Sequence, residues 1–139
     1  FNAYGEGADV HLSQTVEEQA RADEWSYFAM MEMAAHSLYV IRRHKFLSEI
    51  YGEAPVAVAS AAEYCLKQIN AVAPAVAEFD PYIFGDRISA ADILLASTIN
   101  FAERYEVELP ASCRAYRDRA YARPAFQAAN ARNEDLDAT

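Results

Sequence analysis

The sequence predicts an all-α fold, a bundle of five helices joined by short connections. Three observations carry that expectation. Only four glycines occur in 139 residues, and hairpins and phosphate loops use glycine heavily because it reaches positive φ cheaply. The text is rich in Ala, and its apolar residues recur at helical spacing. Helix-start residues stand ahead of each such segment: Thr15, Pro55, Ser89, Pro110 and Pro124.

The first helix is expected over 16–44. Thr15-Val16-Glu17-Glu18 reads as a capping box, in which the Thr hydroxyl accepts from an amide of the first turn and Glu18 reaches back. No Pro or Gly interrupts the run. Its start is acidic and its end, Arg42-Arg43-His44-Lys45, is basic, the polarity that the helix dipole favours. At 3.6 residues per turn, Trp25, Phe28, Ala29 and Tyr39 form one stripe. Tyr27, Met30, Met31, Ala34, Leu38 and Ile41 then lie round the other side. Two apolar sides predict burial between two bodies, its own bundle and a second domain or chain.

Gly52 breaks the text, and Pro55 suits the first position of a second helix over 55–79, where its missing N–H costs nothing. Pro74 falls inside that pattern and predicts a kink. Asp80-Pro81 ends the helix, Tyr82-Ile83-Phe84 reads as short and extended, and Gly85-Asp86 as a turn. Ser89-Ala90-Ala91-Asp92 is the clearest local signal. Ser89 caps a third helix that reaches about residue 105 and Asp92 closes the box, while Ile88 and Ile93 are placed to staple the entry. Pro110 opens a fourth helix over 110–122 and Pro124 a fifth over 124–132. Residues 1–14 read as a lead-in or linker remnant, 15–133 as the domain and 134–139 as a flexible tail.

Composition narrows the function. Twelve Lys and Arg against 21 Asp and Glu give a net charge of −9, which argues against nucleic acid and anionic membrane surfaces as partners. No apolar run is long enough to span a bilayer. Cys65 and Cys113 are far apart and read as thiols packed among helices, with neither a disulfide framework nor a zinc ligand set. A reducing cytoplasm is the expected compartment. The chain opens on Phe1 without a Met or a visible leader, so a trimmed or incomplete chain is expected.

No active site is legible. Glu32 and His36 are one turn apart but lack the further ligands that a di-iron bundle or a zincin needs, and they read as a polar i,i+4 pair. No Gly-x-Ser-x-Gly elbow, dinucleotide fingerprint or phosphate loop occurs. The 42–45 basic run reads as a solvated helix end, with anion binding as the alternative. Met30, Met31 and Met33 with Tyr27 read as core or interface, with the floor of an adaptable apolar pocket as the alternative.

From Ile88 to Leu95 the text, Ile-Ser-Ala-Ala-Asp-Ile-Leu-Leu, resembles the C-terminal helical domain of the glutathione S-transferase family. Tyr82-Ile83-Phe84-Gly85-Asp86-Arg87 is similar to the family's approach to that box. Tyr121-Ala122-Arg123-Pro124-Ala125-Phe126 is similar to its terminal helix, and Arg21-Ala22-Asp23-Glu24-Trp25 to the start of its first long helix. The resemblance covers about residues 15–133. It implies that the Ser89/Asp92 box serves folding, that the first long helix lines the hydrophobic cosubstrate site, and that the first two long helices share a dimer interface. It places glutathione and the catalytic residue in a thioredoxin-like N-terminal domain of about 80 residues. Nothing like that domain is in this text, so no catalytic residue, metal or cofactor carries over to this chain. Tyr27, Met30 and Met31 are the expected pocket-wall residues, for a small hydrophobic ligand. The expected partners are a second copy of the chain or the missing domain. The alternative is a standalone helical module that binds a protein or a small molecule without transferase activity.

Overall fold

The structure, a computed structural model, describes residue 5 and residues 7–137, with side chains through residue 133. The rest of the expected lead-in and tail lies outside the described residues. Helices make up about three quarters of the described residues. The long first helix comprises α1 (Val16–Tyr27), a π-type segment Phe28–Leu38, α2 (Tyr39–Ile41) and a second π-type segment Arg42–Phe46. A short turn of helix, α3 (Ser48–Tyr51), follows. Then come α4 (Pro55–Ala77), α5 (Ala90–Arg104), α6 (Ala111–Tyr121) and α7 (Pro124–Asp137).

The five expected helices are therefore present, with differences that have physical causes. The Thr15 hydroxyl accepts from the Glu18 N–H at 3.1 Å, as a cap should. The Glu18 carboxylate reaches one residue further back than expected and accepts from the Gln14 N–H at 2.7 Å. α4 continues through Pro74 to Ala77. Residues 82–85 form a tight turn and not an extended run: the Tyr82 N–H donates to the Gly85 carbonyl at 3.2 Å, and the return bond is 3.1 Å. Gly85 takes φ +92° there, a region that favours glycine. α7 continues to Asp137, past the expected end at 132, because 128–137 contains no Gly or Pro to stop it.

The first helix departs most from expectation. Its wide segments bond from i to i−5, as when Tyr39 N–H donates to the Ala34 carbonyl and Leu47 N–H to that of Arg42. Buried residues consequently recur at every fourth position: Trp25, Ala29, Met33, Ser37 and Ile41. An ideal α-helix would carry that line about 40° round the axis at each step. The wider turns keep it straight. Ile41 thus joins Trp25 in the core, whereas Tyr39 is exposed, a correction to the two stripes read at 3.6 residues per turn.

α5 lies at the centre, packed against α1, the first wide segment and α6. It buries Ala91, Asp92, Leu95, Ala96, Thr98, Ile99 and Ala102. Its small residues let the neighbouring backbones approach closely, and Leu95 and Ile99 fill the space that remains. The lead-in is tied to this body. His11 N–H donates to the Ile88 carbonyl at 2.8 Å, the His11 ring stacks on Phe84, and Arg123 pairs with Asp9 at 3.0 Å.

Candidate functional site

A groove of about 720 Å³ runs between the first helix and the second half of α5. Met30, Ala34, Ala35, Leu38, Tyr39 and Arg42 line one side, and Leu94, Ser97, Thr98, Phe101 and Tyr105 the other. The sequence explains the opening. Ala34, Ala35 and Ser97 are too short to fill the space between two helices that bulkier residues hold apart. The four-residue repeat of the wide segment also keeps Met30, Ala34, Leu38 and Arg42 in one row. Near the Arg42 end, Tyr105 stacks on Phe46 with ring centres 4.9 Å apart, and Lys45 pairs with Glu106. Those contacts join the end of the first helix to the end of α5.

The wall is mostly apolar. Among the described residues no histidine, cysteine or carboxylate lines it, and Arg42 is the one charged residue. The Thr98 hydroxyl is occupied, donating to the Leu94 carbonyl at 2.7 Å. Such a site can hold an apolar body by burial, but it offers no nucleophile with a base beside it. Its volume lies in the range of small-molecule sites.

Met30 lines the groove. Tyr27 and Met31 are exposed and are not among its lining residues. The wide turns account for this: at about four residues per turn Tyr27 rotates away from Met30, where 3.6 per turn would put them on one face. The α5 wall was missed altogether. Its signal was available in Leu94, Phe101 and Tyr105, a second apolar stripe beside the core line of Leu95, Ile99 and Ala102.

Away from the groove, Glu32 does more than pair with His36, whose Nδ1 lies 3.9 Å from it. Tyr64 of α4 donates its hydroxyl to the same carboxylate, and that bond holds the Tyr64 phenol above its ordinary pKa. Among the described residues no group of three His, Cys, Asp or Glu side chains is placed to hold a metal ion. Cys65 and Cys113 are buried and unpaired, and burial pushes both thiols up in pKa, which makes them poor nucleophiles.

Ser89 and Asp92 stand at the N-terminus of α5, away from the groove wall. The Ser89 Oγ accepts from the Asp92 N–H at 3.2 Å, and the Asp92 carboxylate accepts from the Ser89 N–H at 2.8 Å. The same carboxylate accepts from the Ile83 N–H at 2.9 Å and the Tyr116 hydroxyl at 2.6 Å. It thereby fixes the 82–85 turn and α6 onto α5.

The profile of the glutathione S-transferase C-terminal domain matches residues 28–124, well over half of the chain. The chain belongs to the glutathione S-transferase C-terminal domain family. Among curated proteins none matches it. Two solved structures share the fold. One is a glutathione S-transferase domain-containing protein from Marinobacter aquaeolei VT8, 21% identical over 82% of this chain, with a TM-score of 0.68. The other is Gtt2 from Saccharomyces cerevisiae, 20% identical over 89% of this chain, with a TM-score of 0.70. The match spans 58% of the first of those chains and 62% of the second. No helix of the described residues is long and apolar enough to cross a membrane.

Proposed function

We propose that this domain holds a small apolar ligand in the groove between its first helix and α5, as the cosubstrate wall of a glutathione-transferase-like protein. The observation that supports this reading is the groove itself, about 720 Å³ and mostly apolar. On this reading the chain alone does not conjugate glutathione, because the thiol-activating residue belongs to a thioredoxin-like domain. Met30 carries the wall contact. The exposed apolar residues of the first helix and α4 serve assembly with a second copy or with that domain. Two buried thiols without a disulfide agree with a reducing cytoplasm.

Titration of the 139-residue chain with N-phenyl-1-naphthylamine, a neutral apolar fluorophore, tests the site. Saturable binding is expected, and Ala35→Trp, which fills the groove from an exposed position, is expected to weaken it at least tenfold. Binding that Ala35→Trp leaves unchanged would place the probe elsewhere and sink the reading.

A further inference from the structure

We propose that the groove prefers amphipathic anions, an apolar body carrying a carboxylate, and that Arg42 is the residue that reads the charge. This rests on the groove being a ligand site, as argued above, and adds the chemical class of its occupant. Of the four consecutive basic residues at the end of the first helix, three are engaged within the fold. The Arg43 guanidinium lies over the Tyr51 ring at 4.4 Å, the His44 Nδ1 is 2.9 Å from the Gly52 carbonyl, and Lys45 pairs with Glu106. Arg42 is exposed, lines the groove, and makes no side-chain hydrogen bond or ion pair with the described residues.

Its position gives the geometry. Arg42 ends the row that begins at Met30, so a ligand lying along the groove sets its apolar body against Met30 and Leu38 and its head at the guanidinium. A guanidinium meets a carboxylate with two parallel N–H donors, a match a neutral head cannot make. The chain's net charge of −9 repels anions generally. A preference for an anion in this groove must therefore come from a local cation, and among the described residues Arg42 is the one on its wall.

The experiment displaces bound N-phenyl-1-naphthylamine with decanoate, below its micellar concentration, or decanol, below its solubility limit, on the 139-residue chain and on Arg42→Met. The expected result is decanoate binding about fivefold tighter than decanol to the native chain, the scale of one exposed ion pair. In Arg42→Met the two should bind equally, each measured against naphthylamine bound to that same variant, with thermal melting unchanged. Equal binding of decanoate and decanol to the native chain overturns the inference while leaving the groove reading intact. So does an advantage for decanoate that persists in Arg42→Met. Failure of naphthylamine to bind the native chain at all overturns both.

Discussion

Asp92 is fully buried, and its carboxylate accepts hydrogen bonds from Ser89, Ile83 and Tyr116. A carboxylate in a packed core is costly unless donors surround it. Here donors come from a helix cap, a turn and a neighbouring helix, so one side chain holds three pieces of chain in register. Asp92→Ala is expected to destabilise the domain by about 3–5 kcal/mol, since it orphans several buried donors at once. Denaturant unfolding measures it, and a loss below about 1 kcal/mol would mean that the donors find other partners. Tyr116 adds a pH dependence. Burial, reinforced by the Asp92 charge, lifts its phenol far above the ordinary value of 10.0. The unfolded chain therefore releases this proton near pH 10 while the folded chain keeps it. The stabilisation is complete below pH 10 and declines as pH rises beyond it. Melting temperatures between pH 8 and 11 should fall more gently in Tyr116→Phe than in the native chain. A parallel fall would assign the alkaline loss to other groups, such as the buried thiols. The Ser89–Asp92 box was legible in the sequence, because caps are local. The bonds to Ile83 and Tyr116 were not, because nothing in the text marks which distant donors will meet a carboxylate.

At the scale of the element, the first helix carries the main lesson. Its existence, polarity and excess of apolar residues could be read directly. Its register could not. With i to i−5 bonding the core line runs Trp25, Ala29, Met33, Ser37, Ile41, and the groove row runs Met30, Ala34, Leu38, Arg42. A 3.6-residue wheel assigns Ile41 and Tyr39 to the wrong sides. The two registers make opposite predictions. Ile41→Ala should cost about 2–4 kcal/mol, the price of a core cavity. Tyr39→Ala should fall within about 0.5 kcal/mol of the native chain, as exposed substitutions do. Comparable losses at both positions would contradict the wide-turn register. Ser37 fits the same picture: fully buried, it donates its hydroxyl to the Met33 carbonyl within its own helix.

At the scale of the whole molecule, α5 organises the bundle and the groove marks where packing is incomplete. Large apolar side chains remain exposed around it and beyond: Tyr27, Met30, Met31, Tyr39, Phe46 and Phe101 on or near the groove, and Ile50, Tyr51 and Val56 past the helix end. A monomer that exposes this much is expected to seek cover, while a net charge of −9 opposes self-association. Salt should decide the balance, since it screens repulsion between exposed charges and leaves apolar contact intact. Sedimentation equilibrium should show a larger dimer fraction at 0.5 M than at 0.05 M salt. A strict monomer at both would remove self-association as the use of this surface.

The sequence by itself determined the helices, their caps, the family and the absence of a readable catalytic group, because propensity, capping and composition act over a few residues. Tertiary structure decided which face of the first helix enters the core, which residues of α5 meet it across a gap, and which of four basic residues is left unpaired. Those outcomes depend on the pitch of a helix and on the space between elements distant in sequence, and neither is written at a fixed spacing in the chain.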